Sequence, residues 1–220
     1  MKANTWLSLI LAVALAIVSG KMVLANHAKS EEAQRAEAAR AAQKAENAAI
    51  DNIMTRASVR SYLDKPVEDE KVTTLLKAGM AAPTAMDKRP WRFVVVTDKD
   101  QLKALAGANP HAAFAAKAPL VIVVCGDMNK AIEGAGRDYW IQDAAAATEN
   151  ILLAAHALGL GAVWTGNYPV ADRCRAIAKV LELPDHVIPL ATVVMGYPDK
   201  TVKAKDKWDE DNVSYDAYDE

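Results

Sequence analysis

Cysteine is nearly missing: Cys125 and Cys174 are the only two in 220 residues. Two cysteines exclude a disulfide framework, and neither lies in a Cys-x-x-Cys or Cys/His spacing that would hold a metal. No metal site is expected. An excess of positive charge is also lacking. Lys and Arg total 26 against 28 Asp and Glu, a formal net charge of -2, which argues against a nucleic-acid partner. There is no Walker loop and no Gly-x-Gly-x-x-Gly, and the Gly-x-Ser-x-Gly and His-Glu-x-x-His signatures are absent too. The four histidines, His27, His111, His156 and His186, assemble no Ser/His/Asp or Cys/His set by spacing, so nucleophilic hydrolysis is unsupported. His156, inside an apolar helical stretch, reads as a core histidine rather than a base. No internal repeat is present.

What remains is 52% hydrophobic and 25% charged, which suits one soluble domain with a sizeable core and an appendage. The appendage comes first. MKANTWLSLILAVALAIVSGKMVLA places Lys2 before an apolar run from Trp6 to about Val18, then small residues. That is the layout of a secretory signal, with Val23 and Ala25 as a small-residue cleavage site. The run is short against the ~20 apolar residues of a bilayer span, but apolar character resumes after Lys21. Residues 1–25 therefore read as a signal peptide or an N-terminal membrane anchor. The expected location is exported, periplasmic or membrane-anchored facing outside the cytoplasm. Residues 26–50 are rich in Ala, Glu, Gln, Arg and Lys, strong helix formers, and read as a helical linker. The domain spans residues 51–220.

Within the domain, Ile50, Ile53 and Met54 sit at helical spacing and predict a helix ending near Arg56. PVEDEKVTTLLKAGMAA predicts a second helix. WRFVVVTD (91–98), PLVIVVCGD (119–127) and LATVVMGYP (190–198) are apolar, β-branched runs bounded by turn residues, and predict strands. IQDAAAATENILLAAHALGLG (141–161) is a long helix, apolar nearly all round, ended by Gly159 and Gly161. AVWTGNY is a short strand or turn, DRCRAIAKVLEL a helix, and PDHVIP a connection. The tail is acidic and carries Trp208, Tyr215 and Tyr218. Strands and helices mix without one-for-one alternation, which points to an α+β fold.

Three stretches carry candidate chemistry. RASVRSY (56–62) sets two guanidiniums and a hydroxyl at every second position. Guanidinium forks and a hydroxyl suit a phosphate, although spacing alone favours a surface turn. In APTAMDKRPWRFVVV (82–96) a polar loop meets Pro90 and Trp91 at a strand mouth. In GLGAVWTGNYP (159–169) glycines would let backbone amides approach a ligand closely.

In this order the three stretches resemble the nitroreductase family of FMN-dependent oxidoreductases. Arg56, Ser58, Arg60 and Tyr62 match its Arg-x-Ser-x-Arg/Lys-x-aromatic turn. Pro83, Thr84, Asp87, Arg89, Pro90 and Trp91 stand in its Pro-Ser/Thr-x-x-Asn-x-Gln-Pro-Trp loop. Trp164 and Gly166 match a Trp-x-Gly turn, and the basic segment DKTVKAKDKWDE closes a resemblance covering about residues 48–215.

The resemblance implies a nitroreductase-like central mixed or antiparallel sheet flanked by helices. It implies an intertwined homodimer with an exchanged C-terminal tail and FMN held non-covalently between the subunits. Arg56, Ser58 and Arg60 would hold the phosphate and ribityl chain, completed by Lys203 or Lys205. Pro83, Thr84, Ala85 and Asp87 would lie by the isoalloxazine ring, with Gln142 as a ring contact. The backbone at Thr165 and Gly166 would sit near the flavin's redox-active nitrogen. The implied activity is ping-pong hydride transfer from NADH or NADPH to a small aromatic acceptor, such as a nitroaromatic or quinone. The chemistry would rest on FMN, with no catalytic side chain.

Two departures matter. Asp87 stands where the family has Asn, and Arg89 where it has Gln. A carboxylate there disfavours negative charge on the ring unless Arg89 or Lys88 offsets it. Two other readings stay open. One is a membrane-tethered reductive dehalogenase of the same family, whose lid would use Lys130, Glu133 and Tyr139. The other is a non-catalytic flavin-binding or interaction protein whose partner surface is the helix over 29–50.

Overall fold

The computed structural model describes Met22 and residues 26–27, 29–38 and 47–218. The signal or anchor expected over residues 1–25 falls, but for Met22, outside them. The chain divides into two units, Met1–Asp51 and Asn52–Glu220. In the first, residues 29–38 form an exposed helix, built from strong helix formers with no large apolar side chain. No helix among the described residues is long and apolar enough to cross a membrane.

The second unit is organised by the strand Leu120–Asp127, every residue of which is buried and all but the last of which are uncharged and non-polar. It is strand β2, with β1 at Trp91–Val96, β3 at Gly161–Gly166 and β4 at Val187–Gly196. The sheet order is β1-β2-β4-β3 and every neighbouring pair is antiparallel. Helices α1 (Asp69–Met80) and α3 (Tyr139–Ala157) and helices α2 (Lys99–Ala108) and α4 (Ala171–Val180) complete the domain. Side chains alternate across a strand, so β2 sends Leu120, Ile122 and Val124 to one core, with Leu75 of α1 and Ile151 of α3. Val121, Val123 and Cys125 go to the other, with Leu102 and Leu105 of α2 and Ile177 of α4. Both faces are covered, so β2 is apolar from Leu120 to Gly126, and the buried Asp127 at its end pairs with Arg92. Each fully buried Leu or Ile contributes about 1.5–3 kcal/mol. The architecture is α+β.

Several boundaries differ from the sequence reading. The last strand begins at Val187 rather than 190. Pro189 lies inside it, opposite Cys125, where the β2–β4 register shifts; a bulge tolerates the missing N–H. AVWTGNY resolves into the edge strand β3. Helix α2 was not anticipated, although the Asp98 carboxylate caps it by accepting from the amides of Asp100 and Gln101. His156 is not a core histidine: it is partly exposed, and its Nε2 lies 3.0 Å from the Thr55 hydroxyl. Cys125 and Cys174 are both free thiols, and burial pushes the Cys125 thiol up to about 12.

The start of α1 is tied to the end of β4 by a small polar cluster. The Tyr197 hydroxyl donates to the Glu68 carboxylate at 2.6 Å and accepts from Lys71 Nζ at 2.6 Å. The Tyr197 bond, above all, lowers Glu68 from an ordinary 4.5 to about 2. A depressed carboxylate stabilises the fold above its unfolded value and stops doing so as pH falls through its folded value. Acid titration of stability should therefore show a loss between about 4.5 and about 2 that Glu68→Gln flattens.

Candidate active site

The segment after the residue 47–55 helix is strapped along the free side of β3. Ser58 bridges Ala162 in parallel, and the Val59 amide donates to the Ala162 carbonyl at 3.1 Å. Val59 is buried against Gly161, where a Cβ would stand 2.7 Å from Val59 Cβ. Alternation then turns Ser58 and Arg60 outward, and both are exposed. A cavity of about 270 Å³ lies there, lined by Ser58, Arg60, Ser61, Asp199 and Lys200. Ser61 donates to the Asp199 carboxylate at 2.5 Å. A second cavity of about 260 Å³ shares Val59 and Lys200 and reaches His156 and Gly159. Arg56 is half-buried, with its Nε 3.3 Å from Glu149 on α3. Gln142, exposed on α3, precedes Glu149 by two turns and shares its face.

Because the Ala162 carbonyl points to the strap, the N–H groups of Trp164 and Gly166 point to the same open edge. Thr165 faces inward, its hydroxyl donating to the Thr192 carbonyl at 2.9 Å. Gly166 is exposed, so beyond Ala162 the edge offers backbone donors at the surface.

The 83–89 loop is anchored separately. The Ala85 amide donates to the Asp143 carboxylate at 2.8 Å. Burial raises that carboxyl's pKa and the Ala85 bond opposes the rise. Met86, Asp87 and Arg89 have φ of 52°, 52° and 49°, a left-handed region that Asn and Asp tolerate better than most side chains. Arg89 donates to both oxygens of Asp87, at 2.7 and 2.6 Å, and holds its carboxyl below the usual range. The two departures from the family loop thus form one neutral, bidentate pair. Asp143 and Glu149 lie six residues apart on α3, about 9 Å along the axis and about 120° around it. One chain therefore carries the strap and the loop on different faces of α3.

The structure brings Ser58 and Arg60 together at the Ala162 end of β3, with Gly166 four residues, about 13 Å, further along the strand, and Gln142 on the helix face that Arg56 meets. Pro83, Thr84, Ala85 and Asp87 form the other group. Lys203 and Lys205 are exposed and do not line the cavity at Arg60; the lysine that does is Lys200, in the same basic segment. Lys130 and Glu133 line an open cleft of about 630 Å³ with Lys88 and Arg89. Tyr139 begins α3 and is not part of that lining. No cluster of metal-ligating side chains occurs among the described residues.

The family model described as "Nitroreductase family" matches residues 53–113 and 107–197. The chain belongs to the nitroreductase family. A Methanothermobacter thermautotrophicus protein assigned as an NADH dehydrogenase/NAD(P)H nitroreductase is 40% identical over 170 residues, 77% of this chain and 87% of that protein. A Bacteroides thetaiotaomicron structure with the same assignment is 46% identical and superposes with a TM-score of 0.74, covering 78% of this chain and 99% of its own. A Clostridium difficile FMN-dependent nitroreductase is 32% identical with a TM-score of 0.71, over 77% of this chain and 99% of its own. The nitroreductase match takes in the strap, the 83–89 loop, α3 and β3. It stops short of Lys200, Lys203 and Lys205, and the residues before 53 lie outside it.

Proposed function

We propose that the protein is an FMN-dependent NAD(P)H oxidoreductase acting as a homodimer on small electron-poor acceptors. The observation that carries this is the strap: two arginines and a serine fixed beside an open strand edge. The donor set fits the cofactor. Guanidinium, hydroxyl and ammonium groups of Arg60, Ser58 and Lys200 suit a phosphate dianion, where charge-assisted bonds are strongest. The edge amides of Trp164 and Gly166 suit a planar heteroaromatic rim. Arg56, Ser58 and Arg60 would hold the phosphate and ribityl chain. Lys203 or Lys205 would come to the phosphate only through movement of their segment.

When bound, FMN supplies hydride transfer from NADH or NADPH to an acceptor such as a nitroaromatic or quinone. The chain's part is to bind, orient and exclude water. Arg89 neutralises Asp87 within the loop, so Asp87 places no net negative charge by the ring.

A second copy would complete the site. Strap and loop occupy different faces of α3, so the loop of one subunit would serve the strap of the other. Exposed apolar side chains support this: Met54 is 68% exposed, Met86 77%, Trp208 74% and Tyr215 82%. A partner chain would cover side chains such as these, and the tail bearing Trp208 and Tyr215 would wrap the partner. Residues 1–25 would direct export or anchor the protein outside the cytoplasm.

The test is the visible spectrum of purified protein, with any released flavin identified after denaturation. It is followed by steady-state kinetics with donor and acceptor both varied. Released FMN and parallel double-reciprocal lines are expected. A protein that stays colourless after reconstitution would overturn the reading, and intersecting lines would overturn the alternating use of one face.

A further inference from the structure

The Gly166 carbonyl meets a buried polar network that the proposed flavin site does not use. Asn109, at the end of α2, is completely buried. Its amide donates to the Gly166 carbonyl and to the Asn167 side-chain oxygen, both at 3.3 Å. Its own oxygen accepts from the His111 amide at 3.0 Å, which fixes which way the group points. Asn167, also fully buried, donates through Nδ2 to the Thr192 hydroxyl at 3.0 Å, and its backbone amide donates to the Leu190 carbonyl at 2.9 Å. Arg173 Nη1 donates to the same Gly166 carbonyl at 3.2 Å.

Helix electrostatics do not account for Arg173. It stands in the first turn of α4, where the helix dipole disfavours a cation. The neighbouring Arg175 pairs with Asp172, but Arg173 makes no ion pair among the described residues. Among the described residues its side chain bonds to the Gly166 carbonyl. That carbonyl therefore has both lone pairs engaged, by an amide and by a charged guanidinium, from two elements that otherwise do not touch the site. Satisfied buried networks of this kind hold one geometry. The residue they hold is the one whose N–H faces the open edge.

We propose that Asn109 and Arg173 are positioning residues for the flavin edge: they lock the Gly166 peptide, and the Arg173 charge favours electron uptake by a ring lying against it. This rests on the flavin reading above. A cation near a group that gains negative charge stabilises the charged form, and a locked donor needs no reorganisation when charge develops.

Asn109 is fully buried, so variants there are open to misfolding; the partly exposed Arg173 carries the decision. Arg173→Gln and Arg173→Lys are compared with the parent in two measurements. In the flavin-loaded protein, the reduction potential of bound flavin should fall for Arg173→Gln and return toward the parent value for Arg173→Lys. The FMN dissociation constant should stay within about twofold, because the phosphate strap is intact. In the flavin-free protein, amide hydrogen exchange at Asn167 should quicken about five- to tenfold for Arg173→Gln, the effect of losing one hydrogen bond. An unchanged potential in Arg173→Gln, or unchanged exchange, would overturn the proposal. A parent protein that takes up no flavin would overturn the site reading instead, and the exchange measurement would still decide whether Arg173 locks Gly166.

Discussion

Replacing Arg60 with alanine is expected to weaken FMN binding by ~10- to 150-fold while leaving riboflavin binding nearly unchanged. Arg60 is exposed, lines the cavity with Ser58 and Lys200, and has no acid partner among the described ion pairs. Its removal should therefore cost no fold stability. One hydrogen bond to a charged group contributes about 1.5–3 kcal/mol, which gives the stated range. Riboflavin lacks the phosphate and supplies the control. Fluorescence titration of the flavin-free protein with both ligands checks it. Equal losses for FMN and riboflavin would place Arg60 at the ring instead. The same exchange at Arg56 is less clean, because it would also strand Glu149.

The second large effect is expected at Gly161. Alanine there would bring its Cβ to 2.7 Å from Val59 Cβ and Cγ1 and 2.8 Å from Cγ2. A β-branched side chain has no flexible end to swing aside, so the strap or the strand must move. Overpacking of this kind costs about 1–3 kcal/mol, which lowers the melting temperature by about 2–12 °C for a domain of this size. Flavin binding should fall with it, because Ser58 and Arg60 flank the displaced Val59. The double variant Gly161→Ala/Val59→Ala should recover part of the flavin affinity, since it removes the two Cγ contacts and leaves only the Cβ at 2.7 Å. Thermal melts and flavin titration of both single variants and the pair check this. Additive losses would show that the two residues do not oppose each other.

Much of this was legible in the chain. The central strands announced themselves because burial on both faces removes any need for alternation. The ends of elements were harder. Pro189 fell in the stretch read as a connection, and the register shift opposite Cys125 is what makes room for it inside the strand. Helix α2 was missed although Asp98, Leu102 and Leu105 carried its cap and apolar face. At the site, the order of the motifs located the strap, the loop and the β3 edge. It could not reveal that Asp87 and Arg89 neutralise each other, because that depends on three consecutive-region left-handed backbone angles. Nor could it join Asn109 to Gly166, a contact made only when α2 packs beside β3. Lys200 was passed over for Lys203 and Lys205 because spacing in an irregular segment does not say which lysine turns inward.

The stretch of β3 beyond Ala162, which the strap does not cover, has a consequence for the life of the chain before it reaches its cofactor. Bare strand edges template pairing with other strands, and proteins usually guard them with charge or proline. GAVWTG, the whole of β3, contains neither. Flavin and partner subunit would thus act as the cap this edge lacks. Chains made faster than flavin is supplied would tend to clump. Vitamin status would then set how much of the protein survives in solution, and not merely how much of it is active.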